Sequence, residues 1–190
     1  ELCCVEHNVP NNCDNAPFAK MKEWIRKVYE KNGVNTFSWH ADNPSGGDSW
    51  HVNNVVGRII PGGDLHGTYV EWLDRAAAFL GDLKDTKGRL IPIIFRPFHE
   101  QNGGWFWWGS KGCTPDEYIA LWRFTFDYLC RQKQLHNLIW CFSPGEVFSR
   151  EEYLETWPGD DYVDILGIDS YFSTRHEKPR RQTIEVYEML

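Results

Sequence analysis

The sequence predicts an α/β fold of the (β/α)8, or TIM-barrel, type, with only about four strand–helix units present in this chain. Three observations predict it. Helical and strand patterns alternate along the 190 residues. The strand patterns are near-continuous apolar runs, as expected of parallel strands covered on both faces. Polar and aromatic residues gather where each strand ends: Trp39-His40, Arg96 to Glu100, Ser143 to Glu146, and Asp169 to Tyr171. The last observation separates two architectures. An open doubly wound sheet would carry a Gly-rich phosphate loop, and none follows any strand here. Chemistry at the C-terminal ends of successive strands is the barrel arrangement. A complete barrel needs about 200 residues or more, so residues 1–190 are expected to form one domain holding half a barrel.

The elements follow in order. Residues 15–32 read as a helix, because Phe18, Met21, Ile25 and Val28 share a face and Gly33 supplies a stop. Val34–Trp39 is a short strand, and 41–67 is a long polar loop rich in Gly, Asn and Asp. Thr68 is expected to cap a helix running to about residue 80, with Val70, Leu73, Ala77 and Leu80 apolar. Leu90–Phe95 is the clearest strand, apolar and β-branched. Thr114, with Pro115 next and Glu117 three residues on, opens a helix with a capping box, which is expected to reach Arg131. Leu138–Phe142 is a buried strand, Ser149 with Glu152 starts a shorter helix, Val163–Ile168 is a fourth strand, and 180–190 begins another helix.

Composition narrows the function classes. A net charge of −7, with Lys178, Arg180 and Arg181 as an isolated basic patch, disfavours nucleic acid as a partner. The longest apolar runs are too short to span a bilayer. Ten Trp in 190 residues, a density rarely needed just to fill a core, admit two readings, a Trp-rich core or a sugar-binding cleft. Interleaved with polar groups, as over 99–109, such rings suit a sugar, whose C–H faces stack on flat surfaces while its hydroxyls need polar partners. The six cysteines show no CxxC spacing. Cys130 and Cys141 lie in apolar contexts and are expected as buried thiols, whereas a disulfide among Cys3, Cys4 and Cys13 would fit an exported protein. Glu1-Leu2-Cys3-Cys4 lacks the basic and apolar regions of a signal peptide, so the natural start is expected upstream.

Glu100 is the central candidate for chemistry. It follows a buried strand, and Phe98, Trp105, Phe106, Trp107 and Trp108 surround it in sequence. Desolvation raises a carboxyl pKa and keeps a proton ready for a leaving oxygen. Arg96 opposes this, and the plain alternative is a structural Arg96–Glu100 ion pair. His99 and His40, both at strand ends, are candidates for hydrogen bonding to substrate or to a second carboxylate; His51 is weaker. Asp169 and Tyr171, two apart, share a face, and Tyr171 is placed to hydrogen-bond a carboxylate. Glu146 reads as a solvated loop carboxylate. No metal and no cofactor are expected, since no ligand pair has a metal-motif spacing, and no G-x-S-x-G elbow points to a serine nucleophile.

The run Arg96-Pro97-Phe98-His99-Glu100, followed by Gly103-Gly104-Trp105-Phe106-Trp107-Trp108-Gly109, closely resembles glycoside hydrolase family 26, the family of many β-mannanases. Ser38-Trp39-His40-Ala41-Asp42-Asn43-Pro44 resembles its third-strand segment, and Gly167-Ile168-Asp169-Ser170-Tyr171 its sixth-strand end. The likeness covers roughly residues 17–172 and makes the four strands equivalent to strands three to six of eight. It implies a retaining endo-β-1,4-mannanase acting on mannan, galactomannan or glucomannan. Glu100 is then the acid/base, and His99 helps to hold the nucleophile and substrate. Trp105 is a stacking platform. His40, Arg96 and Asp169 line the site, and Tyr171 bonds the nucleophile. Trp107, Trp108 and Trp50 are further cleft residues. The partner implied is a β-mannan polysaccharide or oligosaccharide, and the location secreted or periplasmic, since polymers do not enter cells readily.

Retaining chemistry requires two carboxyl groups about 5–5.5 Å apart. The family's nucleophile, a Glu ending the seventh strand, is expected farther beyond Tyr171 than this sequence reaches. Glu177, Glu185 and Glu188 read as loop and helix residues instead. Alternatives are another β-glycanase of the family, such as a β-1,3-xylanase or mixed-linkage glucanase, or a non-catalytic sugar-binding protein. Residues 1–190 alone are expected to be inactive or nearly so; turnover of mannan by the purified chain, lost in Glu100→Gln, would overturn this.

Overall fold

Four parallel strands form one sheet: β1 (Asn35–Trp39), β2 (Ile93–Pro97), β3 (Leu138–Phe142) and β4 (Ile165–Leu166). A computed structural model describes residues 1–171. The helix expected over 180–190, with Glu177, Glu185 and Glu188, lies outside the described residues. The spatial order β1-β2-β3-β4 follows the sequence without reversal. A doubly wound sheet reverses direction at a switch point; this sheet does not, so it is an arc of a (β/α)8 barrel. The register sets Phe37 beside Phe95 and Trp39 beside Pro97, then Ile93 beside Leu138 and Cys141 beside Ile165. All four C-terminal ends therefore open on the same side.

Strand bounds shift for local reasons. β2 begins three residues later than expected, because the Ile91 N–H bonds the Leu83 carbonyl (2.8 Å) and Leu90 pairs antiparallel with Lys84. The ladder consequently extends through Arg96 and Pro97. β4 is only two residues long, although Gly167 N–H reaches the Phe142 carbonyl (2.8 Å) and Asp169 N–H the Pro144 carbonyl (2.7 Å). Those later bonds keep the chain against β3 up to the site.

The helices also depart from pattern alone. α1 (Phe18–Glu30) buries Met21 and Ile25, with Pro17 at its N-cap. The loop predicted over 41–67 contains a short helix, α2 (Val56–Ile59), whose Val56 and Ile59 are buried. α3 (His66–Gly81) starts two residues before Thr68, without any side-chain cap. α4 (Pro115–Phe126) has the predicted capping box, then widens into a π segment over Asp127–Gln132. α5 (Arg150–Leu154) is capped by Ser149.

The N-terminal segment lies along β1, where Leu2 N–H bonds the Ser38 carbonyl (2.8 Å). A Cys3–Cys13 disulfide closes this segment. Glu6 is fully buried there, and its carboxylate accepts from Asp42 N–H (2.8 Å) and Trp39 Nε1 (3.1 Å). Burial pushes the Glu6 carboxyl up, with both hydrogen bonds opposing the shift. Cys141 is buried, and half-buried Cys130 accepts from Trp140 Nε1 (3.1 Å). The Trp density proves largely structural. Trp39, Trp107, Trp108, Trp122 and Trp140 are fully buried, and only Trp24, Trp50 and Trp105 are exposed.

The α4 cap can be checked directly. Thr114→Ala removes the acceptor for Glu117 N–H and is expected to cost about 1 kcal/mol, read as a lower urea midpoint with an unchanged slope.

Candidate active site

The site is built on the turn that leaves β2. Phe98 and Glu100 both have left-handed backbones, φ +52° and +54°. For non-glycine residues this costs roughly 1–2 kcal/mol each, and it persists only when surroundings over-determine it. Here they do. Tyr118 Oη donates to the Phe98 carbonyl (3.0 Å) and Trp108 Nε1 to the His99 carbonyl (2.9 Å). Glu100 N–H donates to the Ser143 carbonyl on the neighbouring strand end (2.8 Å). The Phe98 ring is buried edge-on among Trp107, Trp108, Tyr118 and Trp122.

That turn leaves Glu100 only 5% exposed, its carboxylate clamped from both sides. Trp105 Nε1 donates to Oε2 (2.9 Å) and Tyr171 Oη to Oε1 (2.5 Å). Trp105 reaches Glu100 by folding over Gly103, where a Cβ would stand 2.4 Å from the indole. The bond to Glu100 pushes the Tyr171 phenol up to about 12, so it remains a donor. The resemblance implied that Tyr171 bonds a nucleophile; the carboxylate it reaches here is Glu100.

Arg96 does not pair with Glu100. Its guanidinium grips both oxygens of Asp169, beyond β4, and bonds Ser143 Oγ (3.3 Å). Burial pushes the Asp169 carboxyl up, with the Arg96 charge opposing the shift. His99 is buried, and its Nε2 lies 3.1 Å from His40 Nε2. One ring must donate and the other accept. Burial first, then the His40 and Arg96 charges, pushes His99 down to about 3, so it is neutral under ordinary conditions. Its Nδ1 is buried without a partner among the described residues. His40 Nδ1 lies 3.3 Å from the Glu1 carboxylate, outside hydrogen-bond geometry.

Two cavities meet at Glu100, Asp169 and Tyr171. One, of about 330 Å³, lies against His40, Trp50, Arg96 and His99. The other, of about 430 Å³, lies against Trp105, Glu146 and Phe148. Glu100 thus stands midway along a groove with exposed aromatics toward both ends. A larger hollow, about 680 Å³ near Asp74 and Lys133, shares no lining residue with either cavity.

Among the predicted site residues, His40, Arg96, His99, Glu100, Trp105, Asp169 and Tyr171 line this groove. Trp107 does not, which corrects the sequence reading. It is fully buried, and its indole N–H is spent on the Ala41 carbonyl (3.0 Å). Trp108 is equally buried and acts from behind, through the His99 carbonyl. Glu146 is not a fully solvated loop carboxylate: it is half-buried and accepts from Ser170 Oγ (3.0 Å). Pattern reasoning missed Tyr118 and Phe148, and gave Ser143 no role beyond its place at a strand end. Ser143 and Phe148 flank Glu146 within the loop that follows β3, the one signal that pointed to them.

The family model for glycosyl hydrolase family 26 matches residues 8–187. A mannan endo-1,4-beta-mannosidase of Bifidobacterium adolescentis is 42% identical over 162 residues, covering 84% of this chain and 16% of that protein. Endoglucanase H of Acetivibrio thermocellus is 36% identical over 161 residues, covering 81% of this chain and 15% of that protein. The structure of a GH26 beta-mannanase from Bacteroides ovatus superposes with a TM-score of 0.91 at 43% identity, over 95% of this chain and 53% of that one. The chain thus spans about half or less of the length of these relatives.

The depressed His99 pKa has a stability consequence. Unfolded His titrates near 6.5, folded His99 near 3. Between those values the unfolded state binds the extra proton, so stability falls with falling pH, by up to about 1.4 kcal/mol per pH unit. His99→Gln is expected to flatten this acid limb in denaturation curves taken across that window; an unchanged limb would contradict a neutral buried His99.

Proposed function

Because the chain belongs to glycosyl hydrolase family 26, we propose that Glu100 is the general acid/base of a retaining endo-β-1,4-mannanase acting on mannan, galactomannan or glucomannan. The observation that carries this reading is the Glu100 carboxyl, buried and clamped by Trp105 and Tyr171 in the middle of an aromatic-ended groove.

In the first half-reaction Glu100 gives its proton to the departing glycosidic oxygen while a second carboxylate attacks the anomeric carbon. In the second, ionised Glu100 takes a proton from water, which attacks the glycosyl-enzyme. Trp105 and Tyr171 orient the carboxylate through a hydrogen bond to each of its oxygens. Neutral His99 offers a ring for substrate hydroxyls without adding positive charge beside the acid. Arg96 pairs with Asp169 and not with the acid. Asp169 is gripped by Arg96 and Glu146 by Ser170; we assign the nucleophile to neither.

Polymer cleavage and the Cys3–Cys13 disulfide favour a location outside the reducing cytoplasm. Among the described residues no helix is long and apolar enough to cross a membrane. A second reading, cleavage of a β-glucan, is favoured by the similarity to endoglucanase H; product profiles on mannan, xylan and lichenan separate the two.

In the full-length protein, Glu100→Gln is expected to lower kcat/KM on mannan about 100-fold or more. On a dinitrophenyl β-mannobioside, whose leaving group needs no proton, kcat/KM should fall far less. An equal loss on both substrates would remove the acid role.

A further inference from the structure

The loop after β3 carries two features that the acid/base chemistry leaves unused. Phe148 is 60% exposed, although it faces the cavity that also holds Glu100, Trp105 and Tyr171. Its backbone is fixed, since Phe148 N–H donates to Glu152 Oε2 (2.8 Å) immediately before the Ser149 cap of α5. Two residues earlier, Glu146 faces the same cavity. Its Oε1 accepts from Ser170 Oγ (3.0 Å), while Oε2 has no hydrogen-bond partner among the described residues.

The loop is also tied to the catalytic turn. Asn102, two residues past Glu100, accepts from Gly145 N–H (2.7 Å) and donates to the Glu146 carbonyl (3.0 Å). The spacing between Glu100 and this loop is therefore set by the Asn102 side-chain amide, which bonds the loop backbone at two successive residues. An exposed ring on an anchored backbone beside an oriented carboxylate offers an apolar face and hydroxyl acceptors together, the combination a pyranose presents in reverse.

We propose that Phe148 and Glu146 form a sugar-binding subsite one or more residues from the scissile bond, with Phe148 stacking on a pyranose ring and Glu146 Oε2 accepting from its hydroxyls. The subsite makes cleavage depend on chain length. This rests on the glycanase reading of Glu100 and deepens it.

The test uses the full-length protein with mannohexaose and mannotriose. Phe148→Ala is expected to lower the ratio of kcat/KM for mannohexaose to that for mannotriose about tenfold, and Glu146→Gln to lower it about threefold, chiefly through KM. Phe148→Tyr keeps a stacking ring and should retain the wild-type ratio, which also controls for folding. A ratio unchanged in both Phe148→Ala and Glu146→Gln overturns the subsite. Failure of the unmutated protein to hydrolyse either oligosaccharide overturns the mannanase reading instead.

Discussion

The structure around the site depends on holding three residues, Phe98 to Glu100, in a turn that their side chains disfavour. Two left-handed non-glycine residues cost roughly 1–2 kcal/mol each. Three hydrogen bonds, from Tyr118, Trp108 and Glu100 itself, return about 1 kcal/mol apiece, and edge-on ring contacts about Phe98 add about 0.5–1.5 kcal/mol each. The turn is therefore affordable only inside an aromatic core. This accounts for tryptophans that never meet a ligand: Trp107 and Trp108 form the mould that shapes the backbone beneath the acid.

The same turn decides the electrostatics. It carries Glu100 away from Arg96, which leans across β3 to Asp169 through Ser143. The cation is thereby neutralised by a residue that shares the groove, and the carboxyl of Glu100 meets neutral donors instead. Burial keeps His99 uncharged in the same space. Groups that in sequence sit within four residues of one another, Arg96 to Glu100, are thus given separate partners by the sheet: His99 meets His40 beyond β1, while Arg96 meets Asp169 and Glu100 meets Tyr171, both beyond β4.

Corrections to the sequence reading have two physical sources. Helix and strand limits moved where a tertiary hydrogen bond outweighed local preference, as when Ile91 paired with Leu83 and pushed β2 toward Pro97. Side-chain roles moved where burial, invisible in a pattern, intervened. Trp105 and Trp107 are two residues apart in one aromatic run, yet Trp105 lies half-exposed over Gly103 and Trp107 lies in the core. Glu146 read as a loop carboxylate because nothing in sequence shows that Ser170 stands beside it.

What the sequence by itself determined is the kind of object: strand–helix units with polar groups at the strand ends, and Glu100 at the head of a motif specific enough to indicate its family. Periodicity and motif spacing are local properties, so they survive without a fold. Only the tertiary structure decided which carboxylate Tyr171 meets, which partner Arg96 takes, and which aromatics face the groove. Those depend on through-space distances among residues up to about seventy positions apart, such as Tyr171 and Glu100, and on the desolvation that close packing imposes.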